Sequence, residues 1–142
     1  AATRTQGCKM SDKFKTNLNE NTTVIEHSLG TLFILIYLRK NNLKIGSLIS
    51  IGAGYNTDDL KNPTYKDFDP SKEDFEYCKN NINNRFMIFS EKDRFFNEKH
   101  QQDYIHYLGA KPVYVAGQGH FGRTEGITKI PKVLEIMEEI TK

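Results

Sequence analysis

Apolar positions along the chain follow two alternating patterns. Short β-branched runs at Thr22–His27, Lys44–Ile51, Phe86–Ser90 and Pro112–Ala116 end in small or polar residues, as strands do before a turn. Segments of helical period lie between them. Leu29–Arg39 is apolar on all sides, which suits a helix buried between a sheet and its neighbours. Ser71 and Asp74 form a capping pair, after which Phe75, Cys78 and Ile82 fall on one helix face. Asn97 caps a helix that carries Tyr104, Ile105 and Leu108 inward, and Gly109 ends it. Pro131 opens the last helix, with Ile130, Val133, Leu134, Met137 and Ile140 along its inner stripe and Lys132, Glu135, Glu138 and Glu139 facing water. Ser11–Leu18 reads as a polar helix. Gly52–Asp69, rich in Gly, Pro, Asn and Asp, reads as a long loop. Strands joined by crossover helices predict an α/β fold, a three-layer α/β/α sandwich on a mostly parallel sheet.

Size and charge narrow the class. A chain of 142 residues, 37% apolar, can build one domain with a real core but not two full ones. With 20 Lys+Arg against 18 Asp+Glu, the net charge of +2 provides no basic field of the kind nucleic-acid binding needs. The longest apolar run, Leu29–Leu38, is about half of the roughly 20 residues that cross a bilayer, so no membrane span is expected. Cys8 and Cys78 form neither a disulfide framework nor a zinc-like cluster, which points to a reducing compartment, the cytoplasm, and to no metal. The start, Ala1–Thr5, has neither an initiator Met nor an apolar signal core. The first ten residues therefore read as a remnant or a processed end, with Met10 a candidate start.

One segment carries chemistry. Thr22 to Thr31 runs as a strand into His27-Ser28-Leu29-Gly30 and directly out into a helix. A tight strand-to-helix turn of this kind lifts the Ser28 hydroxyl out of the sheet and aims the Leu29 N–H at charge developing on a substrate oxygen. A serine needs a base and an orienting carboxylate, and both follow later strands: Asp93 in the turn Ser90-Glu91-Lys92-Asp93, and His120 in the loop Gly117-Gln118-Gly119-His120-Phe121. The chain order Ser28, Asp93, His120 is that of α/β hydrolases. Plainer readings stand beside each assignment. Ser28 can be an ordinary helix N-cap, Asp93 a turn former, and Glu91 competes as the carboxylate. His27 reads as a buried or hydrogen-bonded neighbour, and His100 and His106 as helix-surface residues. Phe95 and Phe121 beside the acid and base are candidates to line a substrate pocket, as are Phe96, Tyr65 and Phe68, although satellite core explains such residues as well. Gly52-Ala53-Gly54 is a fragment of a dinucleotide fingerprint and fits better as a loop beside the site.

On the His27-Ser28-Leu29-Gly30 elbow, the Ser90–Asp93 turn and the Gly117-x-Gly119-His120-Phe121 loop, the chain resembles the small single-domain α/β hydrolases of the retinoblastoma-binding serine hydrolase and YdeN-like group. The resemblance runs from about Asn21 to the C-terminus. It implies residues 21–142 as a hydrolase core behind a polar segment 1–20, with Ser28 as nucleophile, Asp93 as orienting carboxylate and His120 as general base. It also implies a small acyl substrate and no cofactor. Two features depart from the family pattern. Glu26 stands where the family elbow has a small residue, and no strand with a His-Gly loop precedes the elbow to supply a second oxyanion donor. The chain thus reads as N-terminally incomplete, with a sheet edge open to a partner or a second copy. An impaired hydrolase serving as a binding or assembly subunit is the competing expectation.

Overall fold

The computed structural model describes residues 17–142. Strands β1 (Thr23–His27), β2 (Ile45–Ile51), β3 (Ile82–Phe89) and β4 (Lys111–Tyr114) form one sheet in the order β1-β2-β3-β4, each neighbouring pair parallel. Parallel neighbours require crossovers. Helix α1 (Gly30–Lys40) joins β1 to β2. A short α2 (Thr57–Leu60), a 3-10 segment (Pro63–Phe68) and α3 (Lys72–Asn81) join β2 to β3. Helix α4 (Glu98–Leu108) joins β3 to β4, and α5 (Pro131–Ile140) follows the sheet.

Alternation along the strands divides the core into two layers. Leu48 and Met87 pack with Leu35 and Leu38 of α1, Phe75 and Cys78 of α3, and Tyr104 and Leu108 of α4. Ile49, Ile51, Phe86 and Ile88 face the other way and pack with Ile136 of α5. The three-layer α/β sandwich expected from the pattern is the observed architecture. Cross-strand pairing of His27 with Ile51, Ile51 with Ile88 and Phe89 with Tyr114 brings all four C-terminal strand ends to one edge of the sheet, where α/β folds gather their polar chemistry.

Local signals account for most helix ends. Ser71 and Asp74 exchange a reciprocal capping box at α3, Asn97 and His100 do the same at α4, and Gly109 closes α4 with φ 63°. Three features differ from expectation by more than one residue. Ile82, assigned to a helix face, begins β3, because Asn84 on β3 pairs with Ser47 and its side-chain amide donates to Ser47 Oγ. Asn83 and Asn84, poor strand formers, hide this extension in the sequence. The stretch read as the loop Gly52–Asp69 contains α2 and the 3-10 segment, each started by an asparagine side chain, Asn56 and Asn62, that accepts backbone N–H groups. Such pieces are too short to produce a periodic pattern. Strand β4 ends at Tyr114, although Val115 still donates to Phe89 O. The helix expected over Ser11–Leu18 lies outside the described residues except for Asn17 and Leu18, which are not helical; Cys8 and Met10 lie outside too. Among the described residues no helix is long and apolar enough to cross a membrane.

Candidate active site

Three strand ends supply the site. At the end of β1 the chain turns sharply: Ser28 has φ 56°, a left-handed conformation uncommon outside glycine that costs on the order of 1–3 kcal/mol. Bonds on both sides hold it there. Its N–H donates to Ile51 O at 3.0 Å, and its carbonyl accepts from the backbone N–H and the hydroxyl of Thr31. Leu29 is the N-cap of α1 and has no side-chain cap. Its N–H lies at the N-terminus of α1, where the free donors and partial positive charge of a helix gather.

The hydroxyl, imidazole and carboxylate lie in succession. Ser28 Oγ is 2.9 Å from His120 Nε2, and His120 Nδ1 is 2.9 Å from Asp93 Oδ2. His120 is 5% exposed, and the Asp93 side chain is wholly buried. The other carboxylate oxygen of Asp93 accepts the N–H groups of Phe95 and Phe96 at 2.9 and 3.1 Å, which fixes the acid before it meets the imidazole. Glu91, the competing carboxylate, points elsewhere. It accepts from the Tyr114 hydroxyl, the Ser90 hydroxyl and the Gly117 N–H at 2.8, 2.9 and 2.9 Å. These donors, Tyr114 first, hold its carboxyl down at about 2.

Family membership follows from the whole chain rather than from these contacts alone: the sequence profile of the serine hydrolase family matches residues 9–139. The chain belongs to that family. Two solved structures share its fold. The ydeN gene product from B. subtilis superposes with a TM-score of 0.83 at 23% identity, over 99% of this chain and 76% of that one. A predicted CIB-like hydrolase from Thermoplasma acidophilum gives a TM-score of 0.61 at 15% identity, over 94% of this chain and 56% of that one. No curated protein sequence matches the chain.

In this serine hydrolase the surroundings of the imidazole are aromatic and glycine-rich. The Phe95 ring, 51% exposed, lies 4.6 Å from the His120 ring, and the buried Phe96 lies 6.0 Å from it. Phe121 does not join them. It packs into the α5-side core with Ile49, Phe86 and Ile136, and its outer face helps line an apolar groove of about 490 Å³ that contains none of Ser28, Asp93 or His120. Tyr65 and Phe68 pack beside the α1-side core, the satellite role weighed for them. Gly52 and Gly54 make room for the site's own residues. Gly52, at φ 57°, faces the His120 carbonyl, and the Phe96 ring fills the space a Gly54 side chain would need. Among the described residues no three His, Cys, Asp or Glu side chains converge as metal ligands.

Sequence reasoning missed one part of this arrangement. The loop carrying His120 is held by Glu91, by Ser90, whose hydroxyl accepts the Gln118 N–H at 2.9 Å, and by Glu125, which accepts the Gly122 N–H. The only trace in the sequence is an acidic and hydroxyl pair immediately before Asp93, which without coordinates looks like an alternative acid.

Proposed function

We propose that this chain cleaves a small ester or related acyl substrate through Ser28, His120 and Asp93 by way of an acyl-enzyme. The unbroken hydrogen-bonded line from Ser28 Oγ through His120 to Asp93, with both steps at 2.9 Å, carries this reading. Asp93 accepts the Nδ1–H of His120 and so keeps Nε2 free to accept. As Ser28 Oγ bonds to the acyl carbon, its proton passes to His120 Nε2. The negative charge on the former carbonyl oxygen meets the Leu29 N–H and the N-terminus of α1. The bond to the leaving group then breaks, and the leaving group takes the proton from Nε2. Water repeats the cycle, giving its proton to His120 while its oxygen bonds to the acyl carbon; Ser28 Oγ departs with that proton. Phe95 offers an apolar surface beside the reacting atoms.

Stoichiometric labelling by a fluorophosphonate, lost in a folded Ser28→Ala chain, is the expected result. A second reading, an impaired hydrolase kept as a binding or assembly subunit, draws support from the carboxyl of Glu26 beneath the elbow, since a nearby negative charge opposes an oxyanion. Absence of labelling in a chain with native circular dichroism would favour it.

A further inference from the structure

We infer that His27 is a positioning residue, its ring N–H gripping the main-chain carbonyl of His120 and so setting the reach of that imidazole to Ser28. The inference rests on the triad proposed above. His27 Nε2 lies 2.7 Å from His120 O. A carbonyl oxygen only accepts, so Nε2 is the protonated nitrogen of His27. The two rings also lie together, with centroids 4.8 Å apart.

Position in the fold gives this bond its importance. His27 is the last residue of β1, and Ser28 is its neighbour, so the nucleophile and the grip on the base leave the same strand end. The His120 loop has little rigidity of its own: Gly117, Gly119 and Phe121 all have positive φ, and it belongs to no strand or helix. Side chains fix it instead. Glu91 and Ser90 hold residues 117 and 118, Glu125 holds residue 122, and His27 holds the carbonyl of His120 itself. Gly52 leaves the necessary space. A side chain there would bring its first carbon to 3.1 Å from His120 O and 3.4 Å from His27 Nε2. A displacement of about 1 Å at a reacting group can cost on the order of a hundredfold in rate, so a grip on the main chain of the base itself matters.

Two variants and two readouts test this. His27→Ala removes the donor, while His27→Gln places an amide N–H near the same point. With fluorophosphonate labelling and p-nitrophenyl acetate turnover, His27→Ala is expected to lose ten- to a hundredfold in labelling rate and kcat, with KM and melting temperature little changed. His27→Gln should recover most of that loss. Labelling of His27→Ala at the parental rate, or a Gln variant as slow as the Ala variant although both are folded, overturns the assignment. If the parental chain does not label, the triad reading fails separately. Histidine 15N spectra then decide: His120 resonances that move in His27→Ala and return in His27→Gln support the grip, and unchanged resonances refute it.

Discussion

The carboxyl group of Glu26 occupies the space that a side chain on Gly30 would need. A nucleophile elbow requires small residues on both sides of the serine because the two positions approach closely; here the bulk of Glu26 is accommodated because Gly30 has none. The accommodation has an electrostatic cost. Burial raises the Glu26 carboxyl above its ordinary range, so folding favours its neutral form. For a carboxyl shifted in this direction the fold is favoured below the unfolded-state value and loses that advantage as pH rises through the folded-state value. Glu26→Gln should therefore raise the melting temperature at pH 7 to 8, and the gain should shrink to nothing in acid below the ordinary carboxyl range. Thermal melts across that interval check it; an equal gain at both ends would contradict the burial argument.

The same contact predicts a coupling. Gly30→Ala forces the Glu26 carboxyl out of its place, whereas in a Glu26→Ala background the clashing carboxyl is gone and the β-carbon of residue 26, 3.7 Å away, is an ordinary contact. Contacting pairs usually couple by 0.5–3 kcal/mol, and alanine is up to about 1 kcal/mol better than glycine in a helix. Because the obstructing group is the end of a flexible side chain, we expect about 1 kcal/mol of coupling. The single substitution should be destabilising and the same change in the double variant neutral or favourable, as read from urea unfolding of all four chains. Additive effects would place the carboxyl elsewhere.

What was legible in the sequence is what short-range chemistry encodes. The β-branched run entering His27-Ser28-Leu29-Gly30 located the elbow, and the Ser71–Asp74 and Asn97–Gly109 signals located α3 and α4, because caps and periodicity act within a few residues. The chain order of Ser28, Asp93 and His120 could be read because parallel strands deliver their C-terminal ends to one edge. Choosing between Asp93 and Glu91 depended on partners that only folding provides: the N–H groups of Phe95 and Phe96 turn Asp93 inward, while Tyr114 and Gly117 draw Glu91 away. Phe121 is unreadable for a related reason: next to His120 in sequence and at positive φ, it packs with Ile49, Phe86 and Ile136, a placement that adjacency alone does not reveal.

Asp93 has an arrangement that distinguishes orientation from charge. One carboxylate oxygen is occupied by two backbone N–H groups, and the other faces His120. Asp93→Asn can keep the first set with its carbonyl oxygen. Its amide then faces Nδ1 and donates, which moves the imidazole proton to Nε2 and leaves Ser28 without an acceptor. With the proposed triad, kcat should fall on the order of 10⁴-fold while the melting temperature changes little. A modest loss would mean that His120 acts without the tautomer Asp93 imposes.

Glu91 should reveal itself through pH rather than through chemistry at the hydroxyl. Its carboxyl, held down at about 2 chiefly by the Tyr114 hydroxyl and then by its other donors, is exposed and screened, yet it joins the β3–α4 turn to the His120 loop. A lowered folded-state value means that the contribution to stability is complete above the unfolded-state carboxyl range and disappears as pH falls toward 2. Glu91→Gln keeps the shape but replaces one acceptor with a donor, so Tyr114 and Gly117 cannot both be satisfied as before. The variant should unfold at lower urea than the parent at pH 6, and the gap should narrow steadily as the medium is acidified below about pH 4.5, the ordinary glutamate value. At pH 6 its fluorophosphonate labelling should also slow, because the loop carrying His120 has lost a fastening; parental labelling in a destabilised variant would show that Glu91 serves the fold without serving the imidazole.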